Sequence, residues 1–274
     1  MAANKTDKEL AFINDLFVAP DWGERFSSLI DEHVQLPREG DGLYVESGTG
    51  GHAMALQERA GRNLRFIGTD ENAEAVELAR AKAKAANEAI DFRHDRLENL
   101  ALKDNQFKLV IGNGSLVATQ RIPGMLREML RVAKPGAMVA LVLPTASSFA
   151  EFFSIYWEAL HNSGLVEQEG DVERLITQLP TISEVEEMAE REGLVEIVSS
   201  TQVEEFDYDS GETFLNSPLI SEFLMSGWLA SVPESLKKRV SQEIACIINE
   251  ERHAAEFALT VKATLIVGRK ARSG

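Results

Sequence analysis

The sequence has few of the features that mark exported, membrane-spanning or metal-cluster proteins. Its single cysteine, Cys246, excludes an internal disulfide and a thiolate metal cluster. Its longest apolar run, near Val139, stops at Pro144 and falls short of the about eighteen residues that a membrane span needs. The first residues lack the apolar core of a signal peptide, so we expect a cytoplasmic protein without a membrane partner.

Positive charge is also scarce. The 274 residues include 28 Lys and Arg against 44 Asp and Glu, which gives a formal net charge of −16. A surface this negative repels phosphate backbones, so the composition disfavours RNA or DNA as a partner. The hydrophobic content of 44% is enough for a sizeable core. We therefore expect a globular protein that acts on a small molecule.

The stretch from Leu43 to Asp70 organises the chain. It reads as an apolar strand, a glycine loop at 46–51, a short helix, and a second strand that ends on the carboxylate of Asp70. Glycines let the backbone turn sharply and let a ligand approach main-chain N–H groups. A carboxylate about twenty residues on can accept both ribose hydroxyls of an adenosine-type cofactor. A tight turn followed by an unrelated acid is the alternative interpretation.

The rest of the chain alternates strand and helix patterns, which predicts a doubly wound, mostly parallel α/β sheet. Helical spacing over 8–36, with Pro20 separating two helices, predicts an amino-terminal cap at 1–39 that covers the ligand site or packs on the sheet edge. The main domain would then span 40–274. A last strand is predicted at 257–268. The segment before it, residues 207–256, is too long for a hairpin turn, so we expect it to be a helical insertion.

Several segments resemble class I S-adenosylmethionine-dependent methyltransferases. Met129–Ala137 resembles the family's R-V-L-K-P-G-G segment, and Phe107–Asn113 resembles its F-D-h-V strand. Gly68–Asn72 and Phe92–Asp95 also resemble family segments, and together the similarity covers residues 40 to 145. It implies a seven-stranded Rossmann-like sheet whose last strand is antiparallel.

The resemblance also implies a methyltransferase that uses S-adenosylmethionine and releases S-adenosylhomocysteine. Gly48 and Gly50 would lie under the methionine and ribose, and Asp70 would hold the ribose hydroxyls. Glu71 would lie beside the adenine, while Asp95, with Arg96 next to it, would accept the adenine amino group. Asn113 would line the methionine end. For Asp95, a turn cap is the alternative role.

Two positions depart from the family pattern of acid-x-Gly-x-Gly-x-Gly. In the ungapped register, Tyr44 stands at the acid and Glu46 at the first glycine; in the other, Glu46 is the acid and His52 stands at the last glycine. In the ungapped register a carboxylate at Glu46 would pair with the cofactor's ammonium group or block the site. Lys108 replaces the usual acid of the fourth strand.

No catalytic signature or metal-ligand spacing accompanies these segments. His161, at the end of an aromatic helix, is the best-placed candidate base, and a surface histidine near a helix end is its alternative. Aromatic residues at or within the insertion favour an apolar or aromatic acceptor if the insertion is a lid; the same helices would also suit a homodimer interface. These residues are Phe206, Tyr208, Phe214 and Trp228.

Two other functions stay open from the sequence. Gly48-x-Gly50-x-x-Ala53 fits a dinucleotide fingerprint, which would suit an NAD-dependent oxidoreductase. Glu46 and Lys108 favour a non-catalytic relative that keeps the fold for association.

Overall fold

The computed structural model describes residues 5–251 and 257–272. Clustering of contacts divides the chain into two compact units. The first comprises the described residues of Met1–Leu143, Ile182–Thr201 and Ala263–Gly274, and the second those of Pro144–Thr181 and Gln202–Lys262. Within the described residues, no helix is both long and apolar enough to cross a membrane.

A seven-stranded sheet runs through the fold in the order β3-β2-β1-β4-β5-β7-β6, with β7 antiparallel. This architecture confirms the predicted fold class. The strands are β1 (Gly40–Val45), β2 (Leu64–Asp70), β3 (Asp91–His94), β4 (Phe107–Asn113), β5 (Ala133–Pro144), β6 (Leu194–Tyr208) and β7 (Phe257–Lys270).

Parallel pairing places the carboxyl ends of the central strands at one edge of the sheet. Val45 of β1 is in register with Thr69 of β2 and with Gly112 of β4. The residues that the sequence singles out lie there: Glu46 directly follows β1, Asp70 ends β2 and Asn113 ends β4. Residues more than 20 positions apart along the chain therefore meet at this edge, as in other open α/β sheets.

The helices of the first unit surround this sheet and bury its apolar faces. They are α1 (Asp7–Ile13), α2 (Glu24–His33), α3 (Gly51–Ala60), α4 (Ala73–Ala86), α5 (Ile122–Val132) and α8 (Ile182–Arg191). Met125 and Met129 of α5 are fully buried, and a Cβ added at Gly112 of β4 would lie 2.6 Å from the Met129 sulfur. The close approach of α5 to β4 thus depends on a glycine.

The amino-terminal helices differ from the prediction that Pro20 separates them. Helix continues from Asp7 to His33, and Pro20 lies inside a π-helical segment, Asn14–Gly23, between α1 and α2. Proline lacks an N–H and its ring crowds the carbonyl four residues earlier. The wider π-turn accommodates both effects without ending the helix.

The second unit is mainly helical. Its helices are α6 (Ala150–Asn162), α7 (Glu169–Thr177), α9 (Gly211–Asn216), α10 (Met225–Trp228) and α11 (Glu234–Glu251), with a π-helical turn at Leu219–Leu224. Helix α7 was not predicted from the sequence; its nine residues include Gly170 and four charged side chains. Its inward face is narrow: Val172 and Leu175 are its buried residues.

Candidate functional site

The loop after β1 carries three left-handed residues at alternate positions. The φ angles are 56° at Glu46, 55° at Gly48 and 80° at Gly50, and α3 begins at Gly51. This alternation matches the register in which Glu46 stands at the family's first glycine. The loop therefore has the backbone that three glycines would adopt, at a cost of about 1 kcal/mol where glutamate replaces glycine.

Asp70 faces this loop. Its Oδ2 accepts a hydrogen bond from the Gly48 N–H at 2.7 Å, and its Oδ1 accepts one from the Asn72 N–H at 2.9 Å. The side-chain oxygen of Asn72 in turn caps α4 by accepting from the N–H groups of Glu74 and Ala75. Burial raises the pKa of Asp70, although both amide hydrogen bonds oppose the rise. The end of β2, the glycine loop and α4 are thus tied together through one carboxylate.

The space over the loop is open at its centre. A Cβ added at Gly48 would meet nothing nearer than the Asn14 Oδ1, at 3.9 Å, whereas one added at Gly50 would lie 2.5 Å from the Phe92 ring. The Ser47 hydroxyl is buried and has no hydrogen-bond partner in the described part of the chain. Gly50 is therefore needed for packing, while the surroundings of Gly48 leave room for a ligand.

Glu46 lies within electrostatic range of other acids. Burial is the main cause that raises its pKa to about 9, and the nearby carboxylates of Asp70 and Glu71 raise it further. Arg121 opposes this shift. In the ligand-free protein Glu46 is therefore protonated at neutral pH, and a cation placed over the loop would favour its ionised form.

Glu71 is held by an arginine, Arg121, that no motif in the sequence indicated. Arg121 donates to both carboxylate oxygens of Glu71, at 2.7 and 2.8 Å, and also to Glu98. Glu71 accepts a further hydrogen bond from the Leu97 N–H at 3.0 Å. Hydrogen bonding to Arg121 lowers the pKa of Glu71, so this carboxylate is ionised and fixed beside the end of β2.

Asp95 caps its own loop. Its two carboxylate oxygens accept from the N–H groups of Arg96, at 2.9 Å, and Ala101, at 2.8 Å. The Asp95 N–H donates to the Asp70 carbonyl oxygen at 3.0 Å, which keeps the loop next to β2. The Arg96 side chain is exposed. The predicted adenine contact of Asp95 remains a prediction, and its cap role is present in the structure.

Asn113 ends β4, and its Oδ1 accepts from the Ser115 N–H at 3.1 Å. Tyr44, which stands at the family's acid position, is 2% exposed, and its hydroxyl lies 3.0 Å from His52 Nδ1. The Nε2 of His52 is 3.1 Å from Asp31 Oδ1. A Tyr–His–Asp chain, buried at Tyr44 and exposed at Asp31, thus replaces the expected carboxylate, and no spacing in the sequence pointed to it.

Lys108, the other departure from the family pattern, lies away from this edge. It is the second residue of β4 and its Nζ is 3.4 Å from Glu39 Oε1. Asn113 lies five positions further along the strand, a distance of about 17 Å at the usual rise per residue. The substitution at Lys108 therefore leaves the edge that carries Asp70 unchanged.

The π-helical segment contacts the glycine loop directly. Asp15 Oδ1 accepts from the Thr49 hydroxyl and from Lys82 Nζ, each at 2.5 Å. The Asp15 side chain is 20% exposed and that of Lys82 is 29% exposed. One partly buried ion pair thus joins the amino-terminal segment, the loop and α4.

The remaining predicted residues belong to the second unit. The side chain of His161 is 60% exposed, and its Nδ1 lies 3.0 Å from Glu169 Oε1. The aromatic side chains of the insertion form a core with α6: Trp228 stacks on Phe152 with ring centroids 4.1 Å apart, and Phe214 is fully buried. Packing against α6 therefore covers the rings of Phe214 and Trp228, and a lid role for the insertion, which would favour an apolar or aromatic acceptor, remains a prediction.

Comparison with known proteins confirms the predicted resemblance. Residues 43–136 match the family described as "Methyltransferase domain". The chain is 32% identical over 119 residues to a demethylmenaquinone methyltransferase of Staphylococcus epidermidis, a match that covers 42% of this chain and 49% of that protein. The match thus spans about half the length of this curated relative.

Solved structures show the same fold. The YcgJ protein from Bacillus subtilis aligns with a TM-score of 0.60 and 17% identity over 92% of this chain and 100% of that one. A phosphoethanolamine N-methyltransferase 2 of Haemonchus contortus, solved with S-adenosylhomocysteine, aligns with a TM-score of 0.58 and 15% identity over 99% of this chain and 59% of that one.

Proposed function

We propose that this chain, whose residues 43–136 match a methyltransferase domain within the class I fold, is an S-adenosylmethionine-dependent methyltransferase. The observation that carries the proposal is the hydrogen bond between the Gly48 N–H and the Asp70 carboxylate. It places the acid that ends β2 beside the glycine loop that follows β1, which is the arrangement that adenosine cofactors require in open α/β sheets.

The residues at this edge fit such a cofactor. A carboxylate has about four acceptor positions, and Asp70 uses two of them for Gly48 and Asn72, which leaves capacity for ribose hydroxyls. The open surroundings of Gly48 and the buried Ser47 hydroxyl suit the methionine and ribose portion. Asn113 borders the same edge on the side of β4.

The charge of the site suits a cofactor that carries a sulfonium and an ammonium group. Asp70 and Glu71 raise the pKa of Glu46, and Glu71 raises the pKa of Asp70. A cationic ligand offsets this mutual repulsion and ionises Glu46. We therefore expect binding of the cofactor to release a proton, and Glu46 to pair with the ligand rather than to exclude it.

When bound, the cofactor supplies a methyl group activated by its attachment to a sulfonium. The protein's contribution is to hold the acceptor in line with that group and to exclude water. The named substrate class of the Staphylococcus relative supports a small, apolar or aromatic acceptor. His161 remains the predicted base, with an exposed imidazole whose Nδ1 is engaged by Glu169.

A non-catalytic relative is the second candidate, and Glu46 is the observation that favours it. Its carboxyl group stands where the family has no side chain, and in the protonated state it contributes no charge to attract a cofactor. In that case the loop would keep its left-handed backbone conformation without binding S-adenosylmethionine.

Thermal unfolding with and without ligand separates the two candidates. A ligand that binds only the native state adds about 2.7 kcal/mol to the free energy of unfolding at a hundred times its Kd. We expect S-adenosylmethionine and S-adenosylhomocysteine to raise the Tm, and NAD to leave it unchanged. An unchanged Tm with both methionine-derived ligands would favour the non-catalytic candidate.

A further inference from the structure

The second unit contains a cleft that lies between two of its own helices. Residues of α6, of α7 and of the loop before α6 enclose a volume of about 520 Å³. This volume lies within the range of about 300 to 1,000 Å³ that is typical of small-molecule sites. The site described around Gly48 includes none of these residues.

The walls of the cleft are apolar and partly uncovered. Phe153 and Trp157, one helical turn apart on α6, line one wall, and Val172 and Ile176 line the other from α7. Trp157 and Ile176 are each 47% exposed, whereas Phe153 and Val172 are each 2% exposed. The cleft thus has a rigid apolar floor and two large side chains at its mouth, which present surface to a ligand.

The loop wall is rigid before any ligand binds. The Ser148 hydroxyl donates to the Thr145 carbonyl oxygen at 2.7 Å and accepts from the Lys262 N–H at 2.9 Å. At the opposite corner, His161 stacks on Trp157 and is joined to Glu169 of α7, so that α6 and α7 are connected beside the mouth. A preformed site of this kind loses little conformational entropy on binding.

The charge at the mouth has one sign. The two charged residues that line the cleft are Glu169 and Glu173, both on α7, and its other polar lining groups are serines. Glu173 is exposed and Glu169 is half-buried. The net charge of −16 adds a field that attracts cations and repels anions.

We propose that this cleft is a binding site for a small organic cation, namely an amine carried on an apolar or aromatic body. The apolar part packs against Phe153, Trp157 and Ile176, and the ammonium group lies near Glu173 and the Trp157 ring. An aromatic ring and a carboxylate together favour a cation over a neutral or anionic analogue.

Three probes with one apolar body and different charges test the proposal. We would titrate the full-length protein by calorimetry with 4-phenylbutylamine, 4-phenylbutanol and 4-phenylbutyrate. We expect the amine to bind at least about tenfold more tightly than the butyrate, with the alcohol between them, and to change the fluorescence of Trp157. Equal affinities for amine and butyrate, or no binding of the amine at millimolar concentration, would overturn the inference.

One variant locates the binding site. A Cβ added at Gly170 of α7 meets nothing within 4 Å, so Gly170→Leu keeps the helix and projects into open space at the cleft. We expect it to weaken the binding of 4-phenylbutylamine by at least tenfold. Unchanged binding would show that the amine binds elsewhere and would contradict the proposal.

A matched pair of Glu→Gln variants tests whether the negative charge of Glu173 selects the amine. Glu173→Gln should reduce the preference for amine over butyrate several-fold, whereas Glu158→Gln, an exposed position on α6 that does not line the cleft, should leave it unchanged.

A stable dimer that Trp157→Ala dissociates would instead assign this surface to a second copy of the chain. The titrations need no cofactor, so their failure would leave the proposed function standing, and failed cofactor binding would leave this inference standing.

Discussion

Glu46 combines a left-handed backbone, a half-buried carboxyl group and two neighbouring carboxylates. None of these properties stabilises the ligand-free fold, since each raises the free energy of the native state. Such a residue is expected at a functional site, where local strain and charge are offset by a ligand. The change in the free energy of unfolding with pH reports the protonation of Glu46 most directly.

The native pKa of Glu46, about 9, lies above its ordinary value of 4.5. Between these values the native state holds a proton that the unfolded state has lost, so the free energy of unfolding falls as pH rises. Glu46→Gln should remove this decline and stabilise the ligand-free protein at alkaline pH. Urea unfolding across this interval measures it, with the exposed Glu58→Gln as control; equal slopes in wild type and Glu46→Gln would contradict the assignment.

Gly50 and Gly61 allow the cost of backbone strain to be separated from the cost of steric overlap with a neighbouring side chain. Both have positive φ, of 80° and 68°, but an added Cβ meets Phe92 at 2.5 Å at Gly50 and nothing within 4 Å at Gly61. We expect Gly61→Ala to cost about 1–3 kcal/mol from backbone strain alone, because its ψ of −156° lies in a region that is essentially restricted to glycine. Gly50→Ala, in the left-handed helical region, should cost about 2–4 kcal/mol, of which all but about 1 kcal/mol comes from overpacking against Phe92. Urea denaturation gives both values, and a loss of only about 1 kcal/mol in Gly50→Ala would show that the Phe92 contact relaxes freely.

At the scale of elements, the amino-terminal helix and the glycine loop are joined by Asp15. The helix was predicted to cover the ligand site or to pack on the sheet edge, and its role as a cover remains a prediction. The contacts of Asp15 with Thr49 and Lys82 connect the amino-terminal segment to the loop, so a ligand that moves the loop also moves the helix.

Asp15→Ala should release this connection and cost about 2 kcal/mol, a typical loss for hydrogen bonds to a charged group. We also expect faster amide hydrogen exchange over 14–23 and faster dissociation of S-adenosylhomocysteine. Asp21→Ala is the matched control, because Asp21 lies in the same segment, is 60% exposed and pairs with Arg25. If exchange over 14–23 were the same in both variants, Asp15 would not be the connection.

The elements also show where sequence patterns are informative. Helix α3, the short helix predicted after the glycine loop, ends at Ala60 because Gly61 supplies a residue of positive φ. Pro20 was interpreted as a break because the pattern contains no signal for a π-turn. Helix α7 was missed because two buried residues make too weak a periodic signal.

At the scale of the whole molecule, the site is produced by the parallel sheet, which brings the ends of β1, β2 and β4 to one edge. The positions of Glu46, Asp70 and Asn113 follow from strand order, so the sequence was sufficient to predict them. The partners of these residues were not predictable in the same way. Arg121 is 50 positions from Glu71, and Lys82 is 67 positions from Asp15, and no local pattern encodes such pairs.

The proposed function requires the loop after β1 and Asp70 to hold an adenosine cofactor together. Calorimetric titration of S-adenosylhomocysteine into wild type and Asp70→Asn tests it most directly, with urea unfolding to verify that the variant is folded. The account predicts one site in the wild type and binding at least about tenfold weaker in Asp70→Asn, since the amide replaces an acceptor oxygen by a donor. No heat from the wild type at millimolar ligand, or equal affinities in the two proteins, would contradict it.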